Sequence, residues 1–128
     1  MTRHELGQYT ALQAEIIMWR KRLYKLKQKS LVGSPKLSDM PKGGRGYTLE
    51  DYCAQLDFIE RKISELMFKA DEQSKKIMEF INNIDDSLVR CITYMKNIEG
   101  RSWLWIGYEL GKDPEVCRKK YEKYLRSL

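Results

Sequence analysis

Residues 102–125 read SWLWIGYELGKDPEVCRKKYEKYL, and this stretch decides the fold. Ser102 is a good N-cap, so a short helix is expected from Trp103 to Leu110. Gly111 supplies a tight turn. Asp113 caps the next helix, and Pro114 takes its first position, where a missing N–H costs nothing. Val116, Cys117, Tyr121 and Leu125 then follow the helical period. Gly107 lies four residues before Gly111, and without a side chain there the second helix can cross closely over the first. Ile106, Leu110 and Cys117 face the expected core. A short helix, a glycine turn and a second helix at this spacing form a helix-turn-helix pattern.

Upstream, residues 82–87 read NNIDDS and interrupt a longer helical run, with Asp85 or Asp86 as the N-cap of the next helix. That helix carries Leu88, Val89, Ile92, Met95 and Ile98. It stops at Glu99-Gly100, where glycine suits the left-handed position. Residues 85–128 therefore read as a three-helix module.

Two longer helices are expected before it. Thr2 and Glu5 fit a capping box. Leu12, Ile16, Trp19, Leu23 and Leu26 follow in alternating steps of four and three, so one helix is expected over about residues 3–30. Thr48 starts the second, from about Leu49 to Asn82, with Glu50 and Asp51 favourable at its positive end. Its stripe runs from Tyr52 through Leu56, Ile59, Ile63, Leu66, Ala70, Gln73, Ile77 and Phe80 to Ile84, with Gln73 its one polar member. Residues 31–47, LVGSPKLSDMPKGGRGY, form a Gly/Pro/Ser-rich loop between them. Its Gly43, Gly44 and Gly46 lack the spacing of a phosphate-binding loop. A hinge is expected, with a phosphate contact through Lys42 and Arg45 as the alternative.

The whole chain thus reads as all-α. Residues 1–84 form a long, coiled-coil-like antiparallel helical hairpin, and residues 85–128 form the helix-turn-helix module. The stripes could also close between two chains, so a homodimer is a second expectation.

Charge supports the pairing. The 128 residues carry a net charge of +6, with 10 basic and 3 acidic residues over 1–46 against 7 and 11 over 47–99. A basic helix followed by an acidic one suits a hairpin. The basic run from Trp19 to Lys25 reads as a solvated face partly neutralised by the second helix, with nucleic acid or a membrane surface as alternatives. No stretch is apolar enough for a membrane span, and no leader peptide is expected after Met1. Cys53, Cys91 and Cys117 are far apart and His4 is the sole histidine, so neither a metal centre nor a disulfide framework is expected. No catalytic pair emerges, and no enzyme activity or cofactor is expected.

The second helix of the module is basic. Arg118, Lys119, Lys120, Lys123 and Arg126 follow its start, and Arg101 and Lys112 flank the first helix. These seven residues are the candidate contacts to double-stranded DNA. Asp113 and Glu115 stand where bases are usually touched, and they repel phosphate. The run Trp103-Leu104-Trp105-Ile106 is apolar nearly all round, which implies burial on more than one side. Trp19, Leu104 and Trp105 are therefore candidate contacts to a partner or a second copy, with docking on the hairpin the other expectation for the last two.

Residues 94–111, YMKNIEGRSWLWIGYELG, resemble the phage transcription regulators of the ArpU type. Those proteins are similar to the domain of sigma factors that reads the minus-35 promoter element. The resemblance extends to the loop around Ser38-Asp39-Met40-Pro41 and to the phrase Ile84-Asp85-Asp86. It implies a phage or prophage regulator of late or packaging genes, acting on promoter DNA in the bacterial host cytoplasm, with host RNA polymerase a further partner. By position it makes Arg118 and Lys119 groove-facing. The sequence departs from the family pattern at Lys112-Asp113-Pro114-Glu115 and at Leu104-Trp105. The alternative is a phage protein that holds a host machine, RNA polymerase or a defence nuclease, without sequence-specific DNA binding.

Overall fold

The computed structural model describes residues 1–33 and 47–128, apart from the side chains of 30–33. It contains five helices among the described residues: α1 (Arg3–Gly33), α2 (Leu49–Asn82), α3 (Ser87–Asn97), α4 (Trp103–Leu110) and α5 (Pro114–Arg126). The fold is all-α. A long hairpin of α1 and α2 leads into a module of three shorter helices.

Local chemistry sets the boundaries. The Glu5 N–H donates to Thr2 Oγ1 at 3.2 Å at the start of α1. α1 runs three residues past the expected end near 30, since Leu31 and Val32 contain no breaker. Residues 34–46 of the expected loop, with Lys42 and Arg45, lie outside the described residues. At α2 the box is reciprocal: Asp51 N–H donates to Thr48 Oγ1 at 3.1 Å, and Thr48 N–H to Asp51 Oδ2 at 3.0 Å. Between α2 and α3, Asp86 is the N-cap, with its carboxylate accepting from the N–H groups of Leu88 and Val89 at 2.9 and 3.3 Å. Arg90 closes the same corner by donating to the carbonyls of Ile84 and Asp85. After α3, Gly100 turns left-handed, and the Arg101 N–H reaches back to the Met95 carbonyl at 3.0 Å.

Packing divides the chain into two compact units. One joins Met1–Gln13 to Lys69–Leu128, and the other is Ala14–Phe68. Residue 84, where the sequence divides hairpin from module, marks the corner between α2 and α3, while the first unit's packing continues across it. Its core holds Leu6, Ile77, Ile81, Ile92, Met95, Ile106, Cys117, Tyr121 and Leu125. Gln73, the polar member of the α2 stripe, donates from Nε2 to the Glu5 carbonyl at 2.8 Å. The half-buried amide thus has a partner within the stripe's own packing. In the second unit, Ile16, Ile63 and Leu66 are buried, and Trp19 meets Phe58 edge-on at 5.9 Å between ring centroids.

Not every apolar residue that follows the period of α5 faces inward. Val116 is 53% exposed. The inward row of α5 is Cys117, Tyr121 and Leu125, at steps of four, and the residue before Cys117 lies about 100° away around the helix.

Candidate nucleic-acid interface

The turn between α4 and α5 is built by backbone contacts. Ser102 Oγ accepts from the Trp105 N–H at 3.2 Å and starts α4. Gly111 is left-handed, with φ of 64°. The Lys112 N–H then returns to the Gly107 carbonyl at 2.9 Å. Asp113 Oδ1 accepts from the Glu115 N–H at 2.8 Å, with Pro114 in the first turn of α5. A Cβ on Gly107 would stand 2.7 Å from the Lys112 carbonyl oxygen and 2.8 Å from Pro114 Cγ. This glycine therefore permits the close passage of the turn that orients α5.

α5 carries its cations outward, and its carboxylates are each occupied. Arg118 donates to both oxygens of Glu115, the shortest contact being 2.8 Å. The guanidinium holds the Glu115 carboxyl below the ordinary glutamate range, and Glu115 in turn raises Arg118. Glu122 is paired with Arg3 of α1, whose hydrogen bonds likewise lower its carboxyl. Lys120 lies 3.4 Å from Asp86, and that carboxyl is lowered first by the Val89 N–H and further by Lys120. All three pairs are solvent-exposed, so they contribute little stability. Their consequence is local charge: Asp86, Glu115 and Glu122 each have a cation beside them.

Lys112, Lys119, Lys123 and Arg126 are exposed and make no ion pair among the described residues. Arg101 is exposed at the start of α4, with its guanidinium 4.3 Å from the Trp105 ring centroid. Lys96 of α3 stands over Trp103 at 4.8 Å, at the same end of α4. Arg101 and Lys96 thus bring two cations to a helix N-terminus whose free N–H groups already favour anions.

The apolar candidates separate. Trp105 is half-buried and packs against the core that includes Leu6, Ile77 and Ile81. Leu104 stays off the hairpin: it is 75% exposed, and Tyr108, one turn later, is 86% exposed. Trp19 lies in the other unit, half-buried beside Phe58. Sequence reasoning missed Arg3 and Lys96. Arg3 meets α5 across 119 positions, which no local pattern reveals. Lys96 carried a weaker signal, being a basic residue in the last turn of α3.

Among the described residues, no three metal-ligating side chains converge, and no helix is long and apolar enough to cross a membrane. Comparison with protein-family models, curated proteins and solved structures gives no significant match.

Proposed function

We propose that this chain is a DNA-binding transcription regulator and that α4, the Gly111 turn and α5 are its helix-turn-helix. The observation that carries the reading is the close turn over Gly107, combined with an α5 whose unpaired cations all point to solvent. In such modules the second helix enters the major groove and the first crosses the backbone. Lys112, Lys119, Lys123 and Arg126 would meet phosphates, while Arg101 and Lys96 would serve a phosphate at the start of α4. The resemblance of residues 94–111 to ArpU-type regulators extends the proposal to control of late or packaging genes of a phage or prophage in the host cytoplasm, with host RNA polymerase as a further partner.

The test is binding of the full chain to DNA from upstream of its own gene, against random DNA, over a range of salt. Those four phosphate contacts, with the fifth at the start of α4, give a slope of log K on log salt of about −4.5. The pair Lys119→Glu and Lys123→Glu should reduce that slope by about two and weaken binding at every sequence. Absence of binding, or a slope indifferent to the pair, would falsify the assignment.

A second reading rests on Leu104 and Tyr108, an exposed apolar pair one turn apart on α4. It makes the chain a protein that grips a host machine without reading DNA. In that case Leu104→Glu abolishes function and the α5 charge reversals spare it.

A further inference from the structure

The hairpin between Ala14 and Phe68 is poorly covered. Among its described residues, three large apolar side chains are buried and seven are exposed, with Phe58 at 59%. Two helices alone bury one stripe each and leave their flanks in water. On one flank the exposure has a defined shape. Trp19, Leu26, Ala54, Phe58 and Ile59 line a groove of about 520 Å³ between α1 and α2. The α1 wall carries Arg22, Lys25 and Lys29, and the α2 wall carries the uncharged Ala54 and Gln55. Arg22 and Lys25 have no ion-pair partner among the described residues. The two helices are opposite in charge here: residues 14–33 hold six basic and one acidic side chain, and residues 49–68 hold five acidic and two basic.

We propose that this groove is a homodimer interface, in which Phe58 of each copy enters the groove of the other. A two-fold contact requires one patch to be both knob and hole, and here the same patch holds a protruding aromatic ring and an apolar cleft. Charge fixes the orientation. Laying α1 of one copy against α2 of the other sets a segment of net +5 against one of net −3, although the α2 residues lining the groove itself are uncharged, whereas α1 against α1 would juxtapose cations. A foreign acidic helix would satisfy the cations, but it would leave the protruding Phe58 without a matching hole. The interface lies wholly within the hairpin and does not depend on the DNA-binding proposal.

Sedimentation equilibrium of the full chain, from low to high micromolar concentration, tests it. The expected mass is twice the 15.2 kDa of one chain. Phe58→Glu should weaken association by roughly 100-fold, as truncation at the centre of an interface does. Helical circular dichroism should not change, because the ring is exposed in the single chain. Tyr24→Glu, on the surface shared with Ile17 and Arg20, should leave the mass unaltered. If Phe58→Glu loses helix, Arg22→Glu with Lys25→Glu gives the reading instead, with at least about tenfold weaker association at low salt. A monomer at every concentration overturns the proposal. So does a dimer indifferent to the groove variants, or one that Tyr24→Glu dissociates.

Discussion

Tyr121 of α5 and Asn97 of α3 are both buried, and each satisfies the other. Asn97 Nδ2 donates to the Tyr121 hydroxyl at 2.9 Å, and that hydroxyl donates to Asn97 Oδ1 at 3.3 Å. Asn97 Nδ2 also donates to the Thr93 carbonyl at 3.2 Å. Tyr121→Phe therefore leaves Oδ1 buried without a donor, which should cost about 1–3 kcal/mol in urea unfolding. A loss too small to measure would mean that water reaches Oδ1 once the hydroxyl is gone. The same contact sets an alkaline limit. Burial raises the Tyr121 phenol above its ordinary value, against the lowering effects of Asn97 and Arg3. The folded state thus holds that proton more tightly than the unfolded chain. The associated stability is complete below pH about 10 and is lost as pH rises through the elevated folded value. Thermal melts between neutral pH and pH about 11 should fall more steeply for the native chain than for Tyr121→Phe.

At the scale of elements, the α4–α5 turn offers a paired test on two glycines. Gly107→Ala drives a Cβ against the Lys112 carbonyl and Pro114, where backbone must yield, and should destabilise by about 1–3 kcal/mol. Gly7→Ala in α1 meets nothing within 4 Å and should stabilise by about 0.5–1 kcal/mol through helix propensity. Chemical denaturation of both variants checks the contrast; equal effects would mean that the turn relaxes freely. These elements were legible in the sequence because caps and breakers act locally. Asp86, Ser102, Gly111, Asp113 and Pro114 each mark a boundary with a group that bonds within a few residues. What a helix packs against is not local. Leu6 is wholly buried in the module core, yet its neighbours Ile77 and Ile92 lie more than 70 positions away. Periodicity therefore reads the first turns of α1 as plain hairpin. Val116 follows the same period yet is exposed, because the inward row of α5 runs through Cys117, Tyr121 and Leu125. At the candidate site, outward-pointing cations followed from helical spacing, but the pairing of Lys120 with Asp86 and of Glu122 with Arg3 required the tertiary fold.

For the whole molecule, the uneven burial has a dynamic consequence. The unit containing the three-helix module has a contiguous core, whereas among the described residues of Ala14–Phe68 three large apolar side chains are buried and the others are half-covered or exposed. Each large side chain brought fully out of water contributes about 1.5–3 kcal/mol, so the second unit should open locally at lower free energy than the first. Hydrogen exchange of the Phe58→Glu chain isolates this difference, because a second copy is then kept off the groove. Amides in 16–26 and 56–66 should exchange at least about 100-fold faster than those in 89–95 and 117–125, a gap that reflects the difference in opening free energy. Uniform protection would instead mean that the long helices transmit the stability of the module along their whole length, with one cooperative transition. In the native chain the two units should also respond differently to concentration. Association stabilises whatever it covers by mass action, so protection in 16–26 and 56–66 should rise with protein concentration while module protection stays fixed. Protection of those segments that is high at every dilution would remove both the local weakness and the need for a second copy to cover it.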